Sequence, residues 1–388
     1  MRQDRSRKSS SDKKLALWIG TVIVSILLII VGHAAASKGL NIFDHPESDV
    51  RAKVTELVRL VNEVHEDAGY SSETLYFNAK ILRGAHKGET VLVYQQQDNY
   101  MDTGERFVKV GDTILIAEDE INEEAKWTFG SYMRFDYMIV LGIVFILLLI
   151  LFGRGKGIST VVSLALTCLA VFCVFLPAIL SGANVYLMTV LICVFTIVMT
   201  LLLTNGATAK SFNTMLGCGS GVLMAALLTV LFDKLMHLTG VIDEHSIYLQ
   251  VMNDQGSSID LNGLIFAMIT IGAMGTVMDV AMDIASSLYE VHRHAPDISF
   301  TELFKSGMNI GRDVMGTMAN TLVLAYIGSN LCAILLRVSY ASSLTMLLNT
   351  ESITVEVLQA LIGSMGILLT IPLTTLVCCT RYTGRKMA

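Results

Sequence analysis

The sequence predicts an α-helical polytopic membrane protein of about eight transmembrane helices. A small β-rich extracytoplasmic domain is expected between helices one and two. Three observations carry this. Of 388 residues, 53% are hydrophobic and only 16% charged, against about 25% charged in soluble proteins. The apolar residues gather in runs of spanning length, giving a mean hydropathy of +0.59. Lysine and arginine are distributed unevenly around those runs. Such a chain is not disordered, collagen-like or an ordinary soluble enzyme. A formal charge of −6 does not suit nucleic acid.

A spanning helix needs about 20 mostly apolar residues, and in lipid such a run satisfies its backbone only as a helix or a closed barrel. The runs are Leu15–Ala36, Tyr137–Phe152, Ile158–Leu180, Val185–Leu203, Phe212–Leu238, Leu261–Leu288, Val314–Leu336 and Val355–Cys379. They divide the chain into a basic tail (1–14), an anchor (15–36), an outer domain (37–135), a seven-helix membrane domain (136–380) and a second basic tail (381–388). Cytoplasmic loops keep excess positive charge. Placing the first tail inside also puts Arg154, Lys156, Lys210, Arg293, Lys305, Arg312, Arg381, Arg385 and Lys386 inside, while the short outer loops hold only Lys234 and Arg337. Both termini are therefore expected in the cytoplasm of a plasma membrane. Ala34-Ala35-Ala36 after the first run could be a signal-peptide cleavage site, but that run exceeds the usual 7–15 apolar residues. An uncleaved anchor fits better.

The outer domain reads as a small barrel or sandwich. Ala52–Val61 suits strand or helix. Thr74–Leu82, Glu89–Gln95 and Asp112–Glu118 are short runs bounded by Gly, Asp or Asn, as strands are. Val108–Ile116 looks like a turn at Gly111 opening a strand. His65 and His86 stand alone, and a metal site needs convergent ligands. All seven cysteines (Cys168, Cys173, Cys193, Cys218, Cys332, Cys378 and Cys379) fall in predicted spans with no C-x-x-C spacing. They read as small packing residues.

Spans six and seven carry the unusual polarity. Gly272, Thr276, Asp279, Asp283, Ser286 and Glu290 alternate spacings of four and three. That is a seam expected to face another helix or a wet cavity. Asp279 lies about 27 Å along span six at 1.5 Å per residue, near the cytoplasmic boundary. Span seven repeats the pattern with Asn309, Asp313, Gly316 and Asn320, and adds the G-x-x-x-G pair Gly307 and Gly311. Packing of six on seven would cluster Asp279, Asp283, Arg312, Asp313 and Asn320, with Asn205 and Lys210 at the same level and Gly217-x-x-x-Gly221 as a close-packing patch. Ser299-Phe-Thr-Glu302 is a capping box, expected to open a short surface helix feeding span seven.

Three readings compete for this cluster: a charge lock between helices, a proton or hard-cation site such as oxygen donors suit, and an enzyme. The enzyme is disfavoured. Asp279 and Asp283 share one helix, whereas a protease dyad needs facing aspartates. Neither H-E-x-x-H nor a phosphate loop is present. Met274, Met278 and Met282 suit packing better than a soft metal.

Two motifs in order, Gly272-Ala-Met-Gly-Thr-Val-Met-Asp279-Val-Ala-Met-Asp283 and Ser306-Gly-Met-Asn-Ile-Gly-Arg-Asp-Val-Met-Gly-Thr-Met-Ala-Asn-Thr-Leu-Val-Leu-Ala-Tyr-Ile-Gly328, resemble the bacterial YibE/F-like membrane protein family. The resemblance runs over roughly residues 75–380 and includes Val110-Gly111-Asp112 in the outer domain. It implies a polytopic plasma-membrane protein without an established activity. It supports testing Asp279, Asp283, Asn309, Arg312, Asp313 and Asn320, and supplies no ligand roles.

The expectation is thus a non-enzymatic ion or small-solute transporter in a bacterial plasma membrane. It would use no cofactor, with a divalent cation or proton at the carboxylates, and it would bind no nucleic acid. The alternative is a non-transporting envelope scaffold or sensor. Its outer domain, residues 37–135, would bind an envelope partner or a second copy.

Overall fold

A computed structural model describes residues 2–37, 49–65, 70–98, 106–119, 122, 124–254 and 258–383. The expected basic residues Arg385 and Lys386 lie outside this set, as does the stretch 38–48. The chain divides into two compact units, Asn41–Leu148 and Met1–Leu40 with Leu149–Ala388.

The first unit holds a closed five-stranded barrel in the order β1-β2-β3-β5-β4. The strands are β1 (Asp49–His65), β2 (Tyr70–Ile81), β3 (Thr90–Asp98), β4 (Thr113–Glu118) and β5 (Trp127–Tyr132). All pairings are antiparallel except β3 with β5, which is the Greek-key topology of an OB-type barrel. Alternation builds the core, because side chains one residue apart point to opposite faces. Leu75, Phe77, Ala79 and Ile81 of β2 point in, as do Ile114 and Ile116 of β4. Register shifts at Val54/Glu56 and Leu57/Arg59 bend β1, which pairs with both β2 and β4; bulges have this effect. Ala52–Val61 is therefore strand. The Gly111 turn forms as expected: its φ is +98°, the Asp112 carboxylate accepts from Lys109 N at 2.8 Å, and β4 follows. The sequence reading lacked β5, whose Gly130 and polar neighbours hid a strand. Phe77 has no exposed surface, so Phe77→Ala should cost about 3–5 kcal/mol. Faster hydrogen exchange confined to barrel amides of the intact chain would show it.

The second unit is helical. Among the described residues of the chain, counting the arm of α2 up to Leu148 that belongs to the first unit, six helices are long and apolar enough to cross a membrane, or seven if one bent pair is a single span. They are α1 (Arg2–Ala36), a 46-residue run from α2 (Phe135–Ala170) through a π turn (Val171–Phe175) to α3 (Leu176–Leu180), α4 (Val185–Asn205), α5 (Ala209–Met236), α7 (Leu261–His294) and α11 (Glu351–Thr383). The bent pair is α8 (Phe300–Ser329) and α9 (Leu331–Tyr340), at 68°. Short α6 (Glu244–Asp254) and α10 (Leu344–Leu348) complete the set.

One boundary falls where expected and one does not. The second and third apolar runs meet at a break at Arg154, between the two expected spans, where φ is +49° and ψ −129°. A Cβ on Gly157 would overlap the Leu149 carbonyl. A straight helix would hold those residues about 12 Å apart, so the chain bends sharply here into two helical arms. The expected surface helix before span seven is not separate. Ser299 caps α8 itself, accepting from Glu302 N while the Glu302 carboxylate accepts from Ser299 N, and α8 runs unbroken to Ser329. It then breaks at Asn330, inside the run read as one span.

Glycines organise the bundle around α11. Gly217 and Gly221 of α5 lie against Thr374 and Thr370; Gly307 and Gly311 of α8 lie against Thr375 and Ile371. Both G-x-x-x-G pairs thus face α11, and Gly307 also meets Leu288 of α7, which keeps part of the expected six–seven contact. The order of contacts makes α5 and α8 antiparallel to α11. Val277 of α7 meets Gly366 and Gly272 approaches Gln359, so α7 runs parallel to α11. Gly311→Ala would drive a methyl into the Ile371 side chain. It should lower the thermal midpoint in detergent, and adding Ile371→Ala should restore part of the loss.

Candidate functional site

Helix α7 begins cleanly. The Asp260 carboxylate accepts from Gly263 N at 3.0 Å. His292, Arg293 and His294 fill the last turn, where positive charge offsets the helix dipole. One face is packed: Ile265, Ile269, Ala273, Val277, Val280, Ile284 and Leu288 are buried. Met274, Met278 and Met282 belong to the core cluster that includes α4 and α5 residues, which makes them packing residues.

The other face is open. Gly275, Asp279 and Asp283 are exposed, and a Cβ on Gly275 would meet nothing within 4 Å. Among the described residues neither aspartate makes a hydrogen bond or ion pair. The Gly272 end of the stripe is covered by the Tyr326 hydroxyl of α8 and the Gln359 amide of α11, and Thr276 and Ser286 are half-buried. Glu290 leaves the stripe to pair with Arg293 at 3.4 Å.

The expected cluster with α8 therefore does not form. Asn309, Arg312, Asp313 and Asn320 are all exposed, and the one bond among them runs from Arg312 Nη1 to Asn309 Oδ1 at 3.4 Å. The reason is helical geometry. Gly307 and Gly311 turn to α11, and residues two further on, Asn309 and Asp313, lie about 200° around the helix. Contacts of Gly307 with Leu288 and of Gly272 with Tyr326 still place Arg312 at about the depth of Asp283. Asn205 does reach α7: its Nδ2 lies 3.7 Å from Met282 Sδ and donates to Thr204 Oγ1 at 2.9 Å. Lys210 is half-buried as the second residue of α5, whose Thr208 cap accepts from Ser211 N.

Two carboxylates one turn apart on an apolar helix cannot rest against acyl chains cheaply. An aspartate at the centre of a spanning helix costs about 2.5–3.5 kcal/mol, and less near the boundary where Asp279 is expected. The face needs water, a cation or protein. Among the described residues no three His, Cys, Asp or Glu side chains converge for a metal, so a cation there would keep much of its water, as Mg²⁺ commonly does. Nor do the aspartates line the two apolar hollows nearby. One of about 490 Å³ lies between α1, the π turn and α4, and one of about 610 Å³ lies against α7 and Gln359.

Two polar groups escaped the sequence reading. At the α8–α9 break Asn330 Nδ2 donates to Glu356 Oε2 at 2.8 Å, and Arg337 donates to the Ile242 carbonyl at 3.4 Å. The signal was a lone Glu356 within an apolar run. At the far end of α11, Arg381 donates to the buried Asn213 at 3.3 Å and stacks over Phe212 at 4.2 Å, beside the stacked pair His292 and Tyr382.

The model of the YibE/F-like protein family matches residues 141–384. The chain belongs to this family. The YibE/F-like match covers every helix from α4 to α11 and leaves the barrel outside, so the resemblance begins later than residue 75. The chain matches no curated protein and no solved structure. If the open face of α7 is wet in the bilayer, Gly275→Cys should react with a membrane-impermeant maleimide, while Ala273→Cys, at a buried position, should not.

Proposed function

We propose that this YibE/F-like protein conducts a proton or hydrated cation, alone or coupled to a small solute, along the acidic face of α7. The observation that supports this is the open run Gly275–Asp279–Asp283 on a helix otherwise packed among apolar neighbours. Asp279 and Asp283 would exchange protons or hold the ion through its water shell, and Asn205 would offer an amide oxygen at the rim. Both termini would be cytoplasmic in a bacterial plasma membrane, and each arm of the stretch broken at Arg154 would cross it, giving eight crossings. No bond-making chemistry is ascribed to the chain.

Asp279→Asn and Asp283→Asn remove charge while preserving shape. In reconstituted vesicles each should reduce proton or Mg²⁺ flux at least tenfold, and the double variant should abolish it. Unchanged flux in folded double variant would rule the reading out.

A scaffold or sensor is the second reading. It is favoured by Leu57, Val58 and Leu60, which β1 exposes as a barrel surface suited to an envelope partner. Under it, deleting residues 49–132 would remove the cellular phenotype and the aspartate variants would not.

A further inference from the structure

We propose that the outward polar face of α8 is the surface through which two copies of this chain pair in the membrane. Asn309, Asp313, Gly316 and Asn320 repeat at four, three and four, the spacing of a parallel coiled-coil seam. All four are exposed, and a Cβ on Gly316 would meet nothing within 4 Å. The opposite side of α8 is already occupied, with Gly307 and Gly311 against α11. Asn309, Arg312 and Asp313 lie just cytoplasmic of the run read as span seven, and Gly316 and Asn320 fall within it; a polar face entering a bilayer turns to protein or water and not to acyl chains.

The charge pattern of the face selects its occupant. Arg312 and Asp313 are adjacent, so they sit within about 1.5 Å of the same depth and about 100° apart around the helix. They therefore take different positions on the seam, Asp313 within it and Arg312 on its shoulder. Two copies related by a two-fold axis along the bilayer normal would present α8 to α8, parallel and at equal depth, through the same patch on both. Arg312 of each copy then meets Asp313 of the other, and two ion pairs close together. Asn309 and Asn320 face their own counterparts, and an amide both donates and accepts; Asp313 also faces its counterpart, with the flanking Arg312 of each copy beside the pair to offset the like charge. Gly316 gives the room a close crossing needs. A second copy carries the complement of this pattern by symmetry, and no other partner does so automatically. The carboxylates of α7 take no part, so the pairing is independent of the proposed conduction.

The test uses two differently tagged full-length chains co-expressed and extracted into lipid nanodiscs. Wild-type copies should co-purify. Arg312→Asp with itself, and Asp313→Arg with itself, should lose at least tenfold in recovery through like-charge contact. Arg312→Asp together with Asp313→Arg should recover it, since each supplies what the other lacks. Independently, Asn320→Cys in a chain with the exposed Cys168 and Cys332 replaced by alanine should form a covalent dimer on oxidation. Leu223→Cys, exposed on α5, should not. Wild-type copies that fail to co-purify, or reversed chains that pair with their own kind as well as with each other, would overturn the proposal. If the mixed pair fails to recover, the Asn320→Cys reaction decides: a covalent dimer upholds the interface and a monomer ends it.

Discussion

The close approach of α11 to α5 and α8 is the constraint on which the helical unit depends. In lipid no water-driven collapse brings helices together, so packing contacts must supply the association. Four glycines remove the side chains that would hold the backbones apart, and Thr370, Ile371, Thr374 and Thr375 fill the space they leave. The Thr370 hydroxyl turns back on its own helix to the Gly366 carbonyl at 2.6 Å, while those of Thr374 and Thr375 are buried without a hydrogen-bond partner among the described residues. α7 then lies against this trio through Val277 and Leu288.

That choice of contact surface decides where polarity ends up. Once α8 turns its glycines to α11, its asparagines and charges have nowhere to go but outward. Once α7 commits its isoleucines and valines to the bundle, Asp279 and Asp283 take the opposite side. The barrel obeys the other rule, with Phe77, Ile114 and Ile116 inside and Arg59 and Glu124 paired on the surface. One chain thus contains a core formed by water exclusion and a core formed by fit.

Helix positions were legible because each depends on twenty neighbouring residues of one character, and the Ser299 cap because its partners are three residues apart. The polar stripes were also legible, since spacing alone defines a helix face. Which neighbour each stripe meets was not. Gly307 and Gly311 announce close packing but not with whom, and the answer lay in threonines some sixty residues later. The break at Arg154 was legible too, because Gly153, Gly155 and Gly157 separate two apolar runs there, whereas the bend at Asn330 was not, since the apolar run continues through it. β5 escaped because its Gly130 reads as a breaker and its parallel pairing to β3 is long-range.

The helix that organises the bundle is also synthesised after the partners it joins. Chains fold from the N-terminus as they emerge, so α5, α7 and α8 are made before the helix that fills their notches. α5 and α8 can already meet α7 at Gly221–Val277 and Gly307–Leu288, and α11 completes the group. Assembly of this unit therefore ends in a late insertion, and a nascent chain stalled before residue 351 would present its glycine surfaces to whatever protein lay alongside.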